Sequence, residues 1–208
     1  MLVIGLTGSI GMGKSAAAQH FRNLGVPVCD TDAEVHRLYE SEGVPAIEAA
    51  FPGTVREGKV DRGLLAQEVA GSPEKLKQLE SIVHPMVVTA EIDFLREQER
   101  QGAKFAVLEI PLLFETDAHT RVDVSVVVSA PEEVQKARVL ARPGMNHAKL
   151  EALLKRQLSD AEKRARADYV VDTGTTLADM QDQIDKILDS LEGRKGRVME
   201  RLRHGHSN

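Results

Sequence analysis

The 208 residues are 42% hydrophobic and 28% charged with a net charge of −5, the balance of one soluble globular domain with room for insertions. An acidic chain with 3% aromatics and no Trp is a poor nucleic-acid surface, with few rings on which bases could stack. The single cysteine, Cys29, excludes an internal disulfide, and no apolar run is long enough for a signal peptide or a membrane span. The expected setting is therefore the cytoplasm, with no membrane and no obligate protein partner.

In chain order, Leu2 to Leu6 reads as a buried parallel strand, and Ser15 to Leu24 as a helix stopped by Gly25. Residues 26–29 form a second short strand. Thr31-Asp32-Ala33-Glu34 has capping-box spacing and starts a helix towards Tyr39. Residues 43–104 read as mostly helical, with breaks at Gly53, Gly58, Gly71-Ser72-Pro73 and His84-Pro85. Strands are expected at 104–110, 122–128 and 168–172. Helices are expected over Glu132–Ala141, Lys149–Arg166 and Leu177–Leu191, and the polar segment from Arg194 to the end has a charged, unstructured tail as its default.

Strands alternating with helices predict an α/β fold, a five-stranded parallel sheet covered on both faces. The long helical stretch exceeds a simple crossover. It suggests a core of about 1–39 and 104–193, an inserted substrate-side subdomain over 40–103, a lid near 138–166 and a tail over 194–208.

Residues 8–15, Gly-Ser-Ile-Gly-Met-Gly-Lys-Ser, match the pattern G-x-x-x-x-G-K-[ST] directly between the first strand and the first helix. Gly8, Gly11 and Gly13 let the backbone curl and approach phosphate oxygens closely. The helix that follows presents its positive end to the anion. Lys14 reaches the β/γ-phosphates as a cation, and Ser15 offers an oxygen to Mg²⁺. A tight strand–helix turn would account for a glycine or two but not for Lys14-Ser15 at this offset.

Asp30 and Asp32 follow the second strand. Ligands of open α/β sheets lie beyond the strands' carboxyl ends, so both are candidates for a metal or an attacking hydroxyl. Equally, Asp32 fits as a first-turn helix carboxylate, worth about 1 kcal/mol at most. Nine Lys/Arg against three Asp/Glu between Lys136 and Arg166 give a local charge of +6, an anion site or a solvated helix face.

The phosphate loop with "LGVPVCDTD", then "DR" (61–62), "HP" (84–85), "EIPLLFE" (109–115) and "KRARADYVVDTG" (163–174), resembles the dephospho-CoA kinase family from residue 2 to about 174. The resemblance implies a P-loop nucleotide-kinase-like fold with a helical acceptor-binding insertion and a helical lid. It implies transfer of the γ-phosphate of ATP to the 3′-hydroxyl of dephospho-CoA, with Mg²⁺. Gly11, Met12, Gly13, Lys14, Ser15 and Ala16 would wrap the ATP phosphates. Thr173-Gly174 would touch adenine through the backbone. Asp32 would be the base or the residue orienting the ribose hydroxyl, with Asp30 in support. His84, Pro111, Leu112 and Leu113 would line the acceptor side, and Arg142 would be the lid cation. Arg138 is either a second phosphate contact or a surface charge, Glu109 gains no metal role from its spacing, and Gln157 matches without an assignable role. Two positions depart from the family: Ala16 stands where Thr is usual, and the lid reads Arg-Pro-Gly-Met. Another nucleoside or nucleotide kinase, or a nucleotide switch without chemistry, are the alternatives.

Overall fold

A computed structural model describes residues 1–204, and the chain divides into two compact units, 1–29 with 96–208 and 30–95. The larger unit is built on β1 (Leu2–Thr7), β2 (Val28–Asp30), β5 (Phe105–Glu109), β6 (Val124–Ser129) and β7 (Tyr169–Asp172) in the order β2-β5-β1-β6-β7. The β5-β1, β1-β6 and β6-β7 pairs are parallel, with Leu6 opposite Glu109 and Val126 opposite Tyr169. Every residue of β1 and β6 is buried, which is why these strands are continuous apolar runs rather than alternating ones. The central β1 is where the strand order reverses, the switch point at which such sheets hold ligands.

One face of the sheet is covered by α1 (Lys14–Asn23) and α9 (Leu177–Leu191), whose Phe21, Ile184 and Leu191 are fully buried against Leu2, Ile4, Val107 and Val126. Burying each such side chain is worth about 1.5–3 kcal/mol. The rest of this unit is α6 (Glu132–Leu140), α7 (His147–Leu154), α8 (Asp160–Arg166) and α10 (Val198–His204).

The smaller unit contains α2 (Thr31–Leu38), α3 (Val44–Ala50), the hairpin β3 (Val55–Arg56) and β4 (Lys59–Val60), α4 (Arg62–Val69) and most of α5 (Pro73–Arg100). Its core joins Leu38, Ile47, Phe51, Leu65, Leu79, Val83 and Val87.

Several expectations need correcting. The N-cap of α2 is Asp30, not Thr31: Asp30 Oδ1 accepts from the amides of Asp32 and Ala33 at 3.0 and 3.1 Å. The helical insertion includes a hairpin, turned by Glu57 and Gly58 with φ of 50° and 77°, the paired positive torsions of a tight two-residue turn. The expected break at His84-Pro85 is absent. Pro85 lies inside α5 and His84 is helical rather than extended. The preference against helix before proline yields because Leu79, Val83 and Val87 lock both sides of it into one core.

The helix expected over Lys149–Arg166 is two helices. Ser159 starts α8 with a capping box to Glu162, and its hydroxyl and amide hold that carboxyl below its usual range. The Arg-Pro-Gly-Met turn is closed by a Met145 N–H to Arg142 carbonyl bond of 3.2 Å with Gly144 at φ 74°, the pattern of a turn with Pro then Gly at its centre. The segment expected as an unstructured tail contains the helix α10 over Val198–His204. Val198 and Met199 are buried, and Asp123 Oδ1 accepts from the amides of Arg197 and Val198 at 2.6 and 3.0 Å while its Oδ2 accepts from Val3. Residues 205–208 of that tail lie outside the described residues.

Candidate active site

The phosphate loop joins β1 to α1. Gly11 and Gly13 have φ of 78° and 87°, torsions that residues with a Cβ rarely adopt. Among the described residues no side chain caps α1, whereas Asp30, Asp61, Asn146, Ser159 and Thr176 cap α2, α4, α7, α8 and α9. An uncapped start with inward-curled glycines is a site prepared for an anion.

Lys14 Nζ sits 2.7 Å from Glu109 Oε1, with Arg22 3.9 Å from the other carboxylate oxygen. The β1-β5 register places Glu109 beside Leu6, at the strand ends where the loop begins. Glu109 was set aside by its spacing. Its partner could not be found in the sequence because the pairing spans 95 residues. Ser15 and Ala16 are exposed on the first turn of α1.

Two further elements hold the loop. Thr173 Oγ1 donates to the Met12 carbonyl at 2.7 Å, and the Ala130 amide donates to Met12 Sδ at 3.1 Å. Met12 is thus fastened to the ends of β6 and β7 rather than presented to solvent. Arg138 donates to the Thr173 carbonyl at 2.7 Å and to Thr173 Oγ1 at 3.3 Å, a fork on the turn that Thr173 and Gly174 begin. Arg138 is exposed, as the surface reading has it, and in addition bonds to this turn. Arg142, one turn further, is exposed.

After β5, the Pro111 carbonyl accepts from Thr7 Oγ1 at 3.1 Å and from the buried Lys163 at 3.2 Å. Pro111 and Leu112 are half-buried, but Leu113 is fully buried next to Gly5, so its side chain serves the core and not a pocket wall.

The smaller unit has its own groove of about 570 Å³, lined by Asp32, Val35, His36, Tyr39, Arg62, Leu65, Ala66, Val69 and Leu79. Val35, Leu65, Ala66, Val69 and Leu79 give it an apolar lining, and Asp32, His36, Tyr39 and Arg62 give it polar groups. Burial raises the Tyr39 phenol above its ordinary value, while the nearby Arg62 charge pulls the other way. Asp61 caps α4 through the Gly63 and Leu64 amides at 2.9 and 3.0 Å, which fixes where Arg62 begins the helix. Arg62 belongs to the "DR" that carries the family resemblance, whereas His36 and Tyr39 were not singled out as site residues, since ordinary helix residues carry no local motif. Asp32 is exposed on the first turn of α2. His84 lies outside the groove's lining and is exposed on α5.

The sequence profile of the dephospho-CoA kinase family matches residues 2–179. The chain belongs to the dephospho-CoA kinase family. It is 55% identical over 194 residues to a dephospho-CoA kinase of Brucella melitensis, covering 93% of this chain and 97% of the relative. A dephospho-CoA kinase of Rhodopseudomonas palustris is 56% identical over 190 residues, 91% of this chain and 96% of that one. A crystal structure from Thermus thermophilus superposes with a TM-score of 0.80 at 36% identity, covering 92% of this chain and 98% of that one. With family membership, the expected α/β kinase architecture and the kinase reading both hold. No described helix is long and apolar enough to cross a membrane.

Proposed function

We propose that the chain transfers the γ-phosphoryl group of ATP to the 3′-hydroxyl of dephospho-CoA, giving coenzyme A and ADP. The observation that carries this is an intact phosphate loop at the sheet's switch point in a chain over half identical to dephospho-CoA kinases. The glycines of residues 8–13 and the uncapped start of α1 receive the β- and γ-phosphates. Lys14 leaves Glu109 for the β/γ oxygens, trading one charge-assisted bond for another, and thereby neutralises charge where it develops. Thr173-Gly174, braced by Arg138, presents backbone groups to adenine. Arg142, exposed on the lid turn, closes over the transferring group and excludes water.

Among the described residues no three His, Cys, Asp or Glu side chains are arranged to hold a metal ion. A hydroxyl directly after Lys14 fits a cation that draws most of its oxygens from the nucleotide and water. Ser15 would hold Mg²⁺, which when bound neutralises phosphate charge.

Asp32 acts on the acceptor hydroxyl, accepting its proton or orienting it. Asp30, half committed to capping α2, holds Asp32 at the helix start. The groove of the smaller unit receives dephospho-CoA. Arg62 supplies the cation for the acceptor's own diphosphate, and the apolar floor takes its uncharged parts. His84, exposed on α5 of the same unit, is a further acceptor-side residue.

ADP release with MgATP, measured with dephospho-CoA, adenosine or pantetheine 4′-phosphate, tests the reading. Stimulation by dephospho-CoA alone, with coenzyme A as product, is expected. Preference for another acceptor would replace the substrate, and indifference to all three would end the kinase assignment.

A further inference from the structure

Residues 155–159, which join α7 to α8, are pinned at two adjacent positions. Gln157 Oε1 accepts from the Ile10 amide of the phosphate loop at 3.4 Å. The neighbouring Leu158 amide donates to Glu115 Oε1 at 2.8 Å. Glu115 is paired at 3.0 Å with Lys163 of α8, whose side chain is 0% exposed and also donates to the Pro111 carbonyl. A buried lysine is tolerated only with such partners, so the Glu115–Lys163 pair is a fixed seat for this segment. The other oxygen of that carboxylate, Glu115 Oε2, is buried without a hydrogen-bond partner, so the seat is kept in spite of a polar cost.

Ile10 is gripped from its other side as well. Gln135, itself buried on α6, donates from Nε2 to the Ile10 carbonyl at 2.8 Å. The two peptide planes that flank the Ile10 Cα are therefore held, one at its N–H and the other at its C=O, by two glutamines over a hundred residues away. Ile10 stands directly before Gly11, whose positive φ sets the curl of the loop.

We propose that Gln157 is a positioning residue of the phosphate loop. It restrains rotation about Ile10, so that MgATP meets a loop already in its binding conformation, and it ties the segment between α7 and α8 to that loop. At 3.4 Å the bond is long for an N–H···O contact, so its effect lies in restricting backbone freedom rather than in bond strength. The proposal rests on the nucleotide-binding reading given above. The Gln157 side chain takes no part in the Glu115–Lys163 seat, which holds the segment through the Leu158 amide. Residues 155–159 therefore stay in place when the Gln157 side chain is changed.

The test compares wild type, Gln157→Met, which keeps length but loses the acceptor, and Gln157→Glu, which keeps an acceptor. Four quantities are read: Ile10 amide exchange, MgATP affinity by calorimetry, KM for each substrate, and Tm. In Gln157→Met, Ile10 should exchange about tenfold faster and MgATP Kd should rise about three- to tenfold, for the loss of part of one residue's preorganisation. KM for dephospho-CoA and Tm should stay unchanged, and Gln157→Glu should keep Ile10 protected. Unchanged exchange and MgATP affinity in Gln157→Met, with wild type binding normally, would overturn the proposal alone. A fall in Tm with both substrates weakened equally would overturn it in favour of a structural prop. Wild-type protein that binds no MgATP at all would remove the nucleotide-binding reading and this proposal with it.

Discussion

Lys14 Nζ and Glu109 Oε1 stand 2.7 Å apart at the ends of the two central strands, with Glu109 only 5% exposed. The lysine proposed to meet phosphate is held by a carboxylate, a partner that it exchanges for the phosphate oxygens. Lys14→Met should abolish transfer and also destabilise, because Glu109 keeps its buried charge. The loss should fall below the roughly 3–5 kcal/mol of a broken buried pair, since Arg22 is 3.9 Å away. Adding Glu109→Leu should recover Tm but not activity. Recovery of activity in the double variant would remove Lys14 from the chemistry.

Asp32 sits exposed on the first turn of α2, so its substitution should not disturb the core. Asp32→Asn should lower kcat by about 10²–10⁴, the usual range for a lost acid–base group, with MgATP affinity preserved. Calorimetry alongside steady-state kinetics checks this. Loss of MgATP binding with unchanged Tm would reassign Asp32 to the nucleotide or metal.

Arg138 and Arg142 lie one helical turn apart and should fail differently. Arg138 braces Thr173 through two bonds, so Arg138→Ala should raise KM for ATP several-fold, at about 0.5–1.5 kcal/mol per lost bond. Arg142 is exposed, and Arg142→Ala should leave Tm and ATP affinity near wild type while kcat falls by about 10³, the lower end for cations that stabilise a transferring phosphoryl group. Identical kinetic profiles for the two variants would contradict this division.

Lys163 has no exposed surface and two oxygen partners. Lys163→Met should cost about 3–5 kcal/mol by stranding Glu115, measurable as a large drop in Tm. Pairing it with Glu115→Leu should return most of that stability. Failure of the pair to do so would mean that Lys163 acts mainly through the Pro111 carbonyl.

Gly11→Ala should damage the loop by two routes. The residue holds φ at 78°, worth about 1–2 kcal/mol against an ordinary side chain, and a Cβ there would stand 2.5 Å from Val139 Cγ2. Reduced Tm together with weakened MgATP binding is expected. A variant with full affinity would show that the curl is not required.

The phosphate loop, the strand before it and the helix after it were legible in the sequence because their information is local. Eight consecutive residues define the curl, and periodicity over short windows defines the flanking elements. Helix α9 was legible for the same reason: its apolar spacing and its Thr176 cap both lie within one segment. The hairpin at Glu57-Gly58 was not, because two-residue strands carry too little pattern to detect. Neither was the continuity of α5 through Pro85, where core packing on both sides outweighs a local steric preference.

What the sequence determined by itself is which groups are candidates to meet phosphate, since backbone curl, cation and hydroxyl are all written within Gly8 to Ser15. What only the tertiary structure decided is how those groups are held: Glu109 on Lys14, Thr173 on Met12, and Gln135 and Gln157 on Ile10. Each of these contacts joins residues at least 95 positions apart. Such partners are brought together by strand register and helix packing, and no short-range pattern along the chain encodes them.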